Sequence, residues 1–574
     1  MPLTPELRRG IDQIRDYLFG GGYPDPLSNA EQLSFLFFFY LVEGLDSDNL
    51  MSARQAKRDY ASMFAGDWVL KNPMNAPTAG AKSVPADRLR WSSWSIIAGE
   101  PLVRWLRDEV FPFYTEVAER SAMNFMTGAR LGVDEPTVLT QVVGLIDKLR
   151  LDEADADTKG DLFEHVLKQV KQAGELGQFR TPRHVIRAIV EMIDPQVGET
   201  IYDPAAGTAG FLVAAYNHIR LANSSANGIH EDELDGKLVR RGWGDKLSSA
   251  MSNKLHNATF YGNDVDPKMV RLATMNLTLR GLANVPILKR NALTSTMERG
   301  ERAELGLPLD GYDVVLANPP FSGKLDKDRI VDDVRVGTST ATEILFLKYM
   351  LNSMKDGGRC GVIVPEGVLF GSTGAHKELR RQLVENNTVE AVMSLPGGVF
   401  QPYSGVKTSV LLFRRGGTTS RVLFLHADAD GYKLDANHDT AVEADDLPML
   451  ADAYRRRAEL AGDWLARDED AEWSEKWWFG GADAIRANDF NLSAGRYRPQ
   501  SKSQVEHRNP LELLDELRAI EAEILTELDA LADKLADSDL SGQGFRFESG
   551  HPFRSVSGRL FRRDIGQLGD AFPA

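Results

Sequence analysis

The sequence predicts an α/β protein: a mostly parallel sheet covered on both faces, set between a helical N-terminal region and a helical C-terminal one. Three observations carry this. From about Lys159 onward, short apolar runs alternate with helical stretches, the pattern of successive βαβ units. From Met1 to about Asp157 the apolar residues recur at 3–4 spacing with few strand-like runs. Beyond Leu425 the strands thin out, and acidic helical sequence takes over.

The elements follow in order. "FLFFFYLV" at Phe35 to Val42 reads as one buried helix and is far shorter than the ~20 residues a membrane span needs. "LTQVVGLIDKLRLD" places its apolar residues on one helical face, and "NPMNAPTAGAKSVPAD" interrupts the region as a Pro/Gly/Ala loop. The strand candidates are "TIYDPAAG", "ATFYGNDV", "VPILKRNAL", "YDVVLANPP", "CGVIVPEG", "VEAVMSLPGG" and "TSVLLFRR". Near the C-terminus Leu514, Leu517, Ile524, Leu528, Leu531 and Leu535 mark an amphipathic helix. The expected divisions are a helical domain (1–157), a catalytic domain (158–425), its acidic C-terminal part (426–505), a partner-docking helix (506–536) and a tail without an assigned role (537–574).

Composition narrows the class. The chain has 574 residues, 43% hydrophobic and 26% charged, enough for a large core and two or more domains. One cysteine, Cys360, leaves no internal disulfide and no cysteine-based zinc cluster, and suits a reducing cytoplasm. The net charge of −16 argues against a free-standing binder of phosphate backbones. A local basic groove or a basic partner chain would still allow one.

Four stretches carry chemistry. In "YDVVLANPPFSGK" a buried strand runs into Asn318, Pro319, Pro320 and Phe321; the prolines cannot donate ladder hydrogen bonds, so the strand stops at about Asn318. A stiff turn explains the prolines, but Phe321 suggests a flat ligand at the strand's C-terminal end, where open α/β sheets bind. "YDPAAGTAGF" supplies Asp203, Gly207, Thr208, Ala209 and Gly210 between a strand and a helix, read either as a tight turn or as a cofactor loop. In "YGNDVDP", Asp264 ends a second strand, positioned to accept from ribose hydroxyls, while Asp266 reads as the cap of a Pro-started helix. In "GQFRTPRHV", Thr181 is an N-cap candidate, with Gln178, Phe179 and Arg180 before it and Pro182 and Arg183 after it, placed to cover a neighbouring ligand.

The order of these motifs resembles that of S-adenosylmethionine-dependent amino-methyltransferases, whose catalytic signature is the tetrapeptide Asn318-Pro319-Pro320-Phe321. "GELGQFRTP", "DPAAGTAGF", "GGRCGVIVPEGVLF", "LPGGVFQPYSGVKTSVLLF" and "DFNLSAGRYRP" extend the likeness to the modification subunit of type I restriction-modification systems. The resemblance implies a Rossmann-like methyltransferase sheet and methylation of adenine N6 in double-stranded DNA, with S-adenosylmethionine as cofactor and no metal. It also implies a specificity subunit as partner, two modification subunits per specificity subunit, and a separate restriction (motor) subunit. Where the family usually has a carboxylate, "RNAL" here supplies Asn291, whose amide can still bond the cofactor's adenine.

On this reading Asn318 Oδ1 and the Pro319 carbonyl accept the two N–H bonds of the target amine, and Phe321 stacks on the extruded base. Phe400 and Tyr403 are candidates for a second stacking partner or for core. Competing readings are a protein glutamine methyltransferase, cytosine N4 methylation, and a catalytically silent assembly subunit. Cytosine C5 methylation is disfavoured, because Cys360 sits in a strand-like run instead of following a proline. No GxxxxGK[ST] phosphate loop occurs, so a motor activity must lie in another chain.

Overall fold

The computed structural model describes residues 4–499 apart from 56–58, 72–82, 121–125, 127, 152–153, 172–180, 283, 322, 402–403, 436–437, 468–472 and 474, together with eight helical positions between 518 and 529. The chain divides into two units, Met1–Ser501 and Lys502–Ala574.

The first unit is built on a nine-stranded sheet. Its strands, in chain order, are β1 (Ile201–Asp203), β2 (Phe260–Asp264), β3 (Ile287–Lys289), β4 (Tyr312–Ala317), β5 (Met354–Pro365), β6 (Asn387–Ser394), β7 (Thr408–Arg415), β8 (Arg421–His426) and β9 (Trp477–Gly481). Across the sheet the order is β3-β2-β1-β4-β5-β7-β6-β8-β9. All seven expected strands form, and β8 and β9 extend the edge. β7 runs antiparallel between β5 and β6, and β9 runs antiparallel to β8; every other pairing is parallel. The order reverses around β1 and β4, so the crevice at their C-terminal ends is the natural ligand site.

Central strands buried on both faces lose polar alternation, and β4 does so: Val314, Val315, Leu316 and Ala317 are fully buried. The helix Arg183–Ile193 packs so closely on β5 that a Cβ on Gly361 would meet Ile189 and Ile193 at 2.8 and 2.9 Å. Cys360 is buried in β5, where desolvation pushes its thiol well up. It is a core residue and not a nucleophile.

The N-terminal region is helical, with one short two-stranded ribbon (Asp67–Val69 with Ser83–Pro85). The apolar block of Phe35 to Val42 lies in the helix Pro26–Gln55 and is buried among Trp94, Phe111 and Tyr114. No helix among the described residues is long and apolar enough to cross a membrane. This core runs past residue 157, since Leu162, Phe163, Val166 and Leu167 of the helix Ala156–Lys171 belong to it. Met269, Leu272, Met275 and Leu279 join it from the helix after β2, which seats the helical region directly beside the sheet.

Two of the extended motifs meet in space. Arg380, buried in the helix Gly374–Glu385, donates to Val368 O, Gly371 O and Phe490 O at 2.9–3.0 Å, and Leu492 N donates to Leu369 O at 2.9 Å. "PEGVLF" and "DFNLSAG" are thereby tied into one corner. In the second unit the described positions are helical, with Ile524, Leu525 and Leu528 exposed. Leu514, Leu517, Leu531 and Leu535 of the expected docking helix, and the tail after 536, lie outside the described residues.

Candidate active site

β1 ends at Asp203, and the chain turns through Pro204–Ala209 into the helix Gly210–Ala222. Gly207 adopts φ +52°, and a Cβ there would meet nothing within 4 Å, so the backbone lies open to any ligand above it. Ala209 has φ +64°, a left-handed conformation that costs a non-glycine residue about 1–3 kcal/mol and marks a loop shaped for function. No side chain caps the helix that follows, which leaves its first N–H groups to a ligand. Asp203 is buried; its Oδ1 accepts from Ala205 N at 3.0 Å, and desolvation pushes its carboxyl up to about 8.

Asp264 braces this loop. Its Oδ2 accepts from Gly207 N and its Oδ1 from Asp266 N, both at 2.9 Å. Each oxygen keeps a lone pair for a ribose hydroxyl. Burial raises its pKa, against the lowering effect of these backbone bonds. Asp266 accepts from Lys268 N at 2.8 Å as N-cap of the Pro267–Thr278 helix, as expected. Asn291 follows β3, and its Oδ1 accepts from Leu293 N at 3.0 Å. That fixes the carboxamide and aims its NH₂ outward as a donor.

Asn318 follows β4 directly. Its Nδ2 donates to Thr181 Oγ1 at 2.9 Å, while its Oδ1 is buried without a hydrogen-bond partner. A buried amide oxygen left unpaired costs about 1–3 kcal/mol, so a rigid strand end that holds one open is shaped for a donor that arrives later. Thr181 does not cap its helix, contrary to expectation. Pro182 occupies the N-cap of Arg183–Ile193, and the Thr181 hydroxyl serves Asn318 instead. Phe321 is 6% exposed and meets Phe400 edge to face at 5.3 Å, so a base can stack on Phe321 only after neighbouring groups shift.

Thr181, Arg183, Asp203, Gly207, Thr208, Gly210 and Asn318 all line one cavity of about 750 Å³, within the range of small-molecule sites. Asp264 braces its wall through Gly207 N but does not line it, and Asn291 does not line it either. Gln178, Phe179, Arg180 and Tyr403 lie outside the described residues. Behind Thr208 and Arg183 lie three residues unread in the sequence: Glu164, Asn276 and Arg280. Arg280 is buried, donates to Glu164 at 2.9 Å and bonds Asn276, whose Nδ2 donates to Thr208 O at 2.8 Å. Arg183 completes the set with Glu164 at 2.5 Å. This buried ion network links the helix Ala156–Lys171 to the glycine loop. No local pattern announces it, because its central pair, Glu164 and Arg280, is 116 residues apart.

The unpaired Asn318 oxygen, the open glycine loop and the uncapped helix start suit a nucleoside cofactor beside an amine substrate. Residues 154–506 match the family model described as N-6 DNA Methylase. The chain is 29% identical over 467 residues to the Escherichia coli type I restriction enzyme EcoEI methylase subunit, covering 76% of this chain and 84% of that one. It is 27% identical over 388 residues to the StySJI methylase subunit of Salmonella typhimurium, covering 65% of this chain and 66% of that one. Among solved structures, a chain from a study of assembly and conformational transition in the type I R-M system superposes with a TM-score of 0.63 at 25% identity, covering 94% of this chain and 99% of that one. These relatives bear out the resemblance to type I modification subunits. With the strand-end Asn318 on the wall of a glycine-loop cavity and a family match over more than half its length, the chain belongs to the N-6 DNA methylase family.

Proposed function

We propose that this chain transfers a methyl group from S-adenosylmethionine to adenine N6 in double-stranded DNA, as the modification subunit of a type I restriction-modification complex. The observation that carries the reading is the Asn318 side chain: amide nitrogen tied to Thr181, oxygen buried and unpaired, at the wall of the cofactor-sized cavity.

The bound cofactor supplies an electrophilic methyl group on a positively charged sulfur. The protein's own task is to make a poor nucleophile attack it. An exocyclic amine shares its lone pair with the purine ring. Asn318 Oδ1 accepts one of its N–H bonds and the Pro319 carbonyl accepts the other, which draws the nitrogen toward tetrahedral geometry. The same two acceptors stabilise the positive charge that develops on nitrogen, so their contribution grows toward the transition state. Thr181 holds the Asn318 carboxamide so that its oxygen, not its NH₂, faces the amine. Pro319 and Pro320 keep the loop stiff, and Phe321 provides a face for the flipped adenine once its cover has moved.

Asp264 receives the ribose hydroxyls, the loop from Asp203 to Gly210 receives the polar end of the cofactor, and Asn291 donates to its adenine. Gln178, Phe179 and Arg180 close over it from the segment before Thr181. The glutamine-methyltransferase reading loses ground to the DNA methylase family match, and the silent-scaffold reading to the open Asn318 oxygen.

The partners follow from the same reading. A specificity subunit selects the site, two modification subunits flank it, and a restriction subunit supplies any motor and cleavage. The 506–536 helix docks the chain to that assembly, which works on DNA in the cytoplasm. Exposed Ile524, Leu525 and Leu528 support this docking role. The deciding experiment is co-expression with the specificity chain encoded beside it, followed by mapping of methylated adenines. N6-methyladenine at one recurrent sequence is the expected result; unmodified DNA, or methylated glutamine in a protein, would overturn the reading.

A further inference from the structure

Three side chains far apart in sequence converge beside the start of the Arg183–Ile193 helix. His184 Nε2 lies 2.9 Å from Asp430 Oδ2, and His438 Nε2 lies 2.9 Å from the same oxygen. The three donor atoms fall within 4.8 Å of one another. Asp430 begins the ribbon Asp430–Tyr432/Ala441–Asp445, and His438 sits in its connecting loop.

A structural hydrogen-bonded triad would account for His184, but not for His438. That ring is 4% exposed, and neither of its nitrogens makes a hydrogen bond. Its Nε2 is close to Asp430 Oδ2 yet off the direction a hydrogen bond requires. A buried imidazole with two idle nitrogens is costly in a folded core unless something else uses them. A cation shared by the three groups would use one of them, because a metal bond needs the lone pair to point at the ion and not at the carboxylate.

The spacing agrees. Four-coordinate zinc with bonds of about 2.0–2.1 Å separates neighbouring ligand atoms by roughly 3.3 Å, close to the two contacts observed. Tyr432 stacks on His184 at 4.3 Å and fixes the ring's plane. A cavity of about 50 Å³ adjoins His184, His438 and Tyr432, room for one water as a fourth ligand and for entry of the ion.

Most of the surrounding cations are already paired. Lys168 and Arg183 are paired with Asp235, and Lys237 with Asp445. Arg187, one turn along the helix, has no carboxylate partner among the described residues and opposes a cation. Asp430 itself supplies the offsetting charge.

We infer that His184, Asp430 and His438 form a binding site for one zinc-type divalent cation, which pins the 430–445 ribbon to the start of the Arg183–Ile193 helix. That helix follows Thr181, the residue that holds Asn318, so the ion would brace the catalytic amide from behind without touching substrate. Two imidazoles and one carboxylate favour zinc or cobalt over magnesium, which prefers oxygen ligands.

The test uses the full chain, stripped with a chelator and titrated with Zn²⁺ alone, Co²⁺ alone and Mg²⁺ alone. The expected result is one Zn²⁺ per chain by elemental analysis and calorimetry. Co²⁺ should give the intense visible absorption of four-coordinate cobalt, and Tm should rise by several degrees with Zn²⁺ but not with Mg²⁺. His438→Asn and Asp430→Asn should each weaken Zn²⁺ binding by on the order of 100-fold or more. His218→Asn, at an exposed His–Asp pair elsewhere, should leave binding unchanged. Should a ligand variant fail to fold, His184→Gln is the second probe. Wild-type protein that takes up no Zn²⁺, or that binds it equally well after either His438→Asn or His184→Gln, overturns the site.

Discussion

Thr181→Val separates orientation of the catalytic amide from its mere presence. Valine keeps the shape of threonine but removes the hydroxyl that accepts from Asn318 Nδ2 at 2.9 Å. Two consequences follow in a buried setting. The Asn318 NH₂ loses its partner, at about 1–3 kcal/mol, and the carboxamide is free to rotate its NH₂ toward the place of the target amine. Only the oxygen-in rotamer accepts from that amine, so the penalty falls on the chemical step. At 1.36 kcal/mol per tenfold, that is a roughly 5- to 150-fold slower methyl transfer. Asn318→Ala removes the acceptor altogether and should cost at least the 100- to 1000-fold or so seen when one preorganised hydrogen-bonding group is removed. Asn318 is assigned to the amine, and Thr181→Val keeps the shape of a side chain expected beside the cofactor, so S-adenosylmethionine affinity should stay within a few-fold. Thr181→Ser should recover most of the rate. The assay is single-turnover methyl transfer by the reconstituted complex, beside calorimetric cofactor binding. Wild-type turnover by Thr181→Val, or a loss of cofactor affinity matching the loss of rate, refutes the orienting role.

Other expectations follow from the same geometry. Asp264→Ala should weaken cofactor binding by about 1.5–3 kcal/mol, since it removes both the ribose acceptor and the brace on Gly207; wild-type affinity would make Asp264 only a loop brace. Asp203 has its carboxyl pushed up to about 8 by burial, so the folded chain holds this proton more tightly than the unfolded one. Its stability contribution is therefore full below about pH 4 and is lost as pH rises toward 8. Asp203→Asn should flatten that slope in thermal melts of the cofactor-free chain, and an unchanged slope would remove Asp203 as its source. Truncation before Pro510 should leave a folded, cofactor-binding protein that no longer co-elutes with its specificity subunit in size-exclusion chromatography; co-elution with full site-specific methylation would relocate the docking surface. The isolated chain, at net charge −16, should bind DNA weakly and with little salt dependence, whereas the complex should show a steep log K against log salt slope. Equal slopes would place the basic surface on this chain.

What could be read from the sequence was what is local. The central strands were legible because burial on both faces turns them into apolar runs with little alternation, as at Tyr312–Ala317 and Thr408–Arg415. The glycine loop, Asp264 and the Asn-Pro-Pro-Phe turn were legible because strand-end chemistry sits next to the strand that positions it. The ribbon Ile229–Leu234/Lys237–Gly242 was not, because it is written in charges: Glu231 faces Arg240 across it, and Arg241 reaches Asp161. β9, "WWFGG", carries two glycines in an acidic neighbourhood and becomes a strand only by pairing with β8. At the site, Thr181 fitted a helix cap so well by local rules that its real partner, 137 positions away, left no trace. The His184–Asp430–His438 cluster spans a still longer separation, and isolated histidines on a sequence carry no signal of convergence.

The acidity of the chain and the neutrality of its catalytic groups belong together. On the proposed mechanism the reacting atoms need acceptors: an amide oxygen and a carbonyl oxygen at the end of a stiff strand, with a buried carboxyl nearby whose pKa burial pushes up to about 8. Phosphate backbones, by contrast, demand basic surface, and they demand it over many base pairs. One surface cannot satisfy both requirements cheaply. The proposed assembly would resolve the conflict by dividing them between two chains, with sequence reading and phosphate contacts on the partner and methyl transfer here. It also explains why Phe321 can rest covered by Phe400. In such a divided enzyme the base would arrive only with the partner, and the energy of that larger DNA interface would be available to uncover the stacking face and turn the adenine out of the helix.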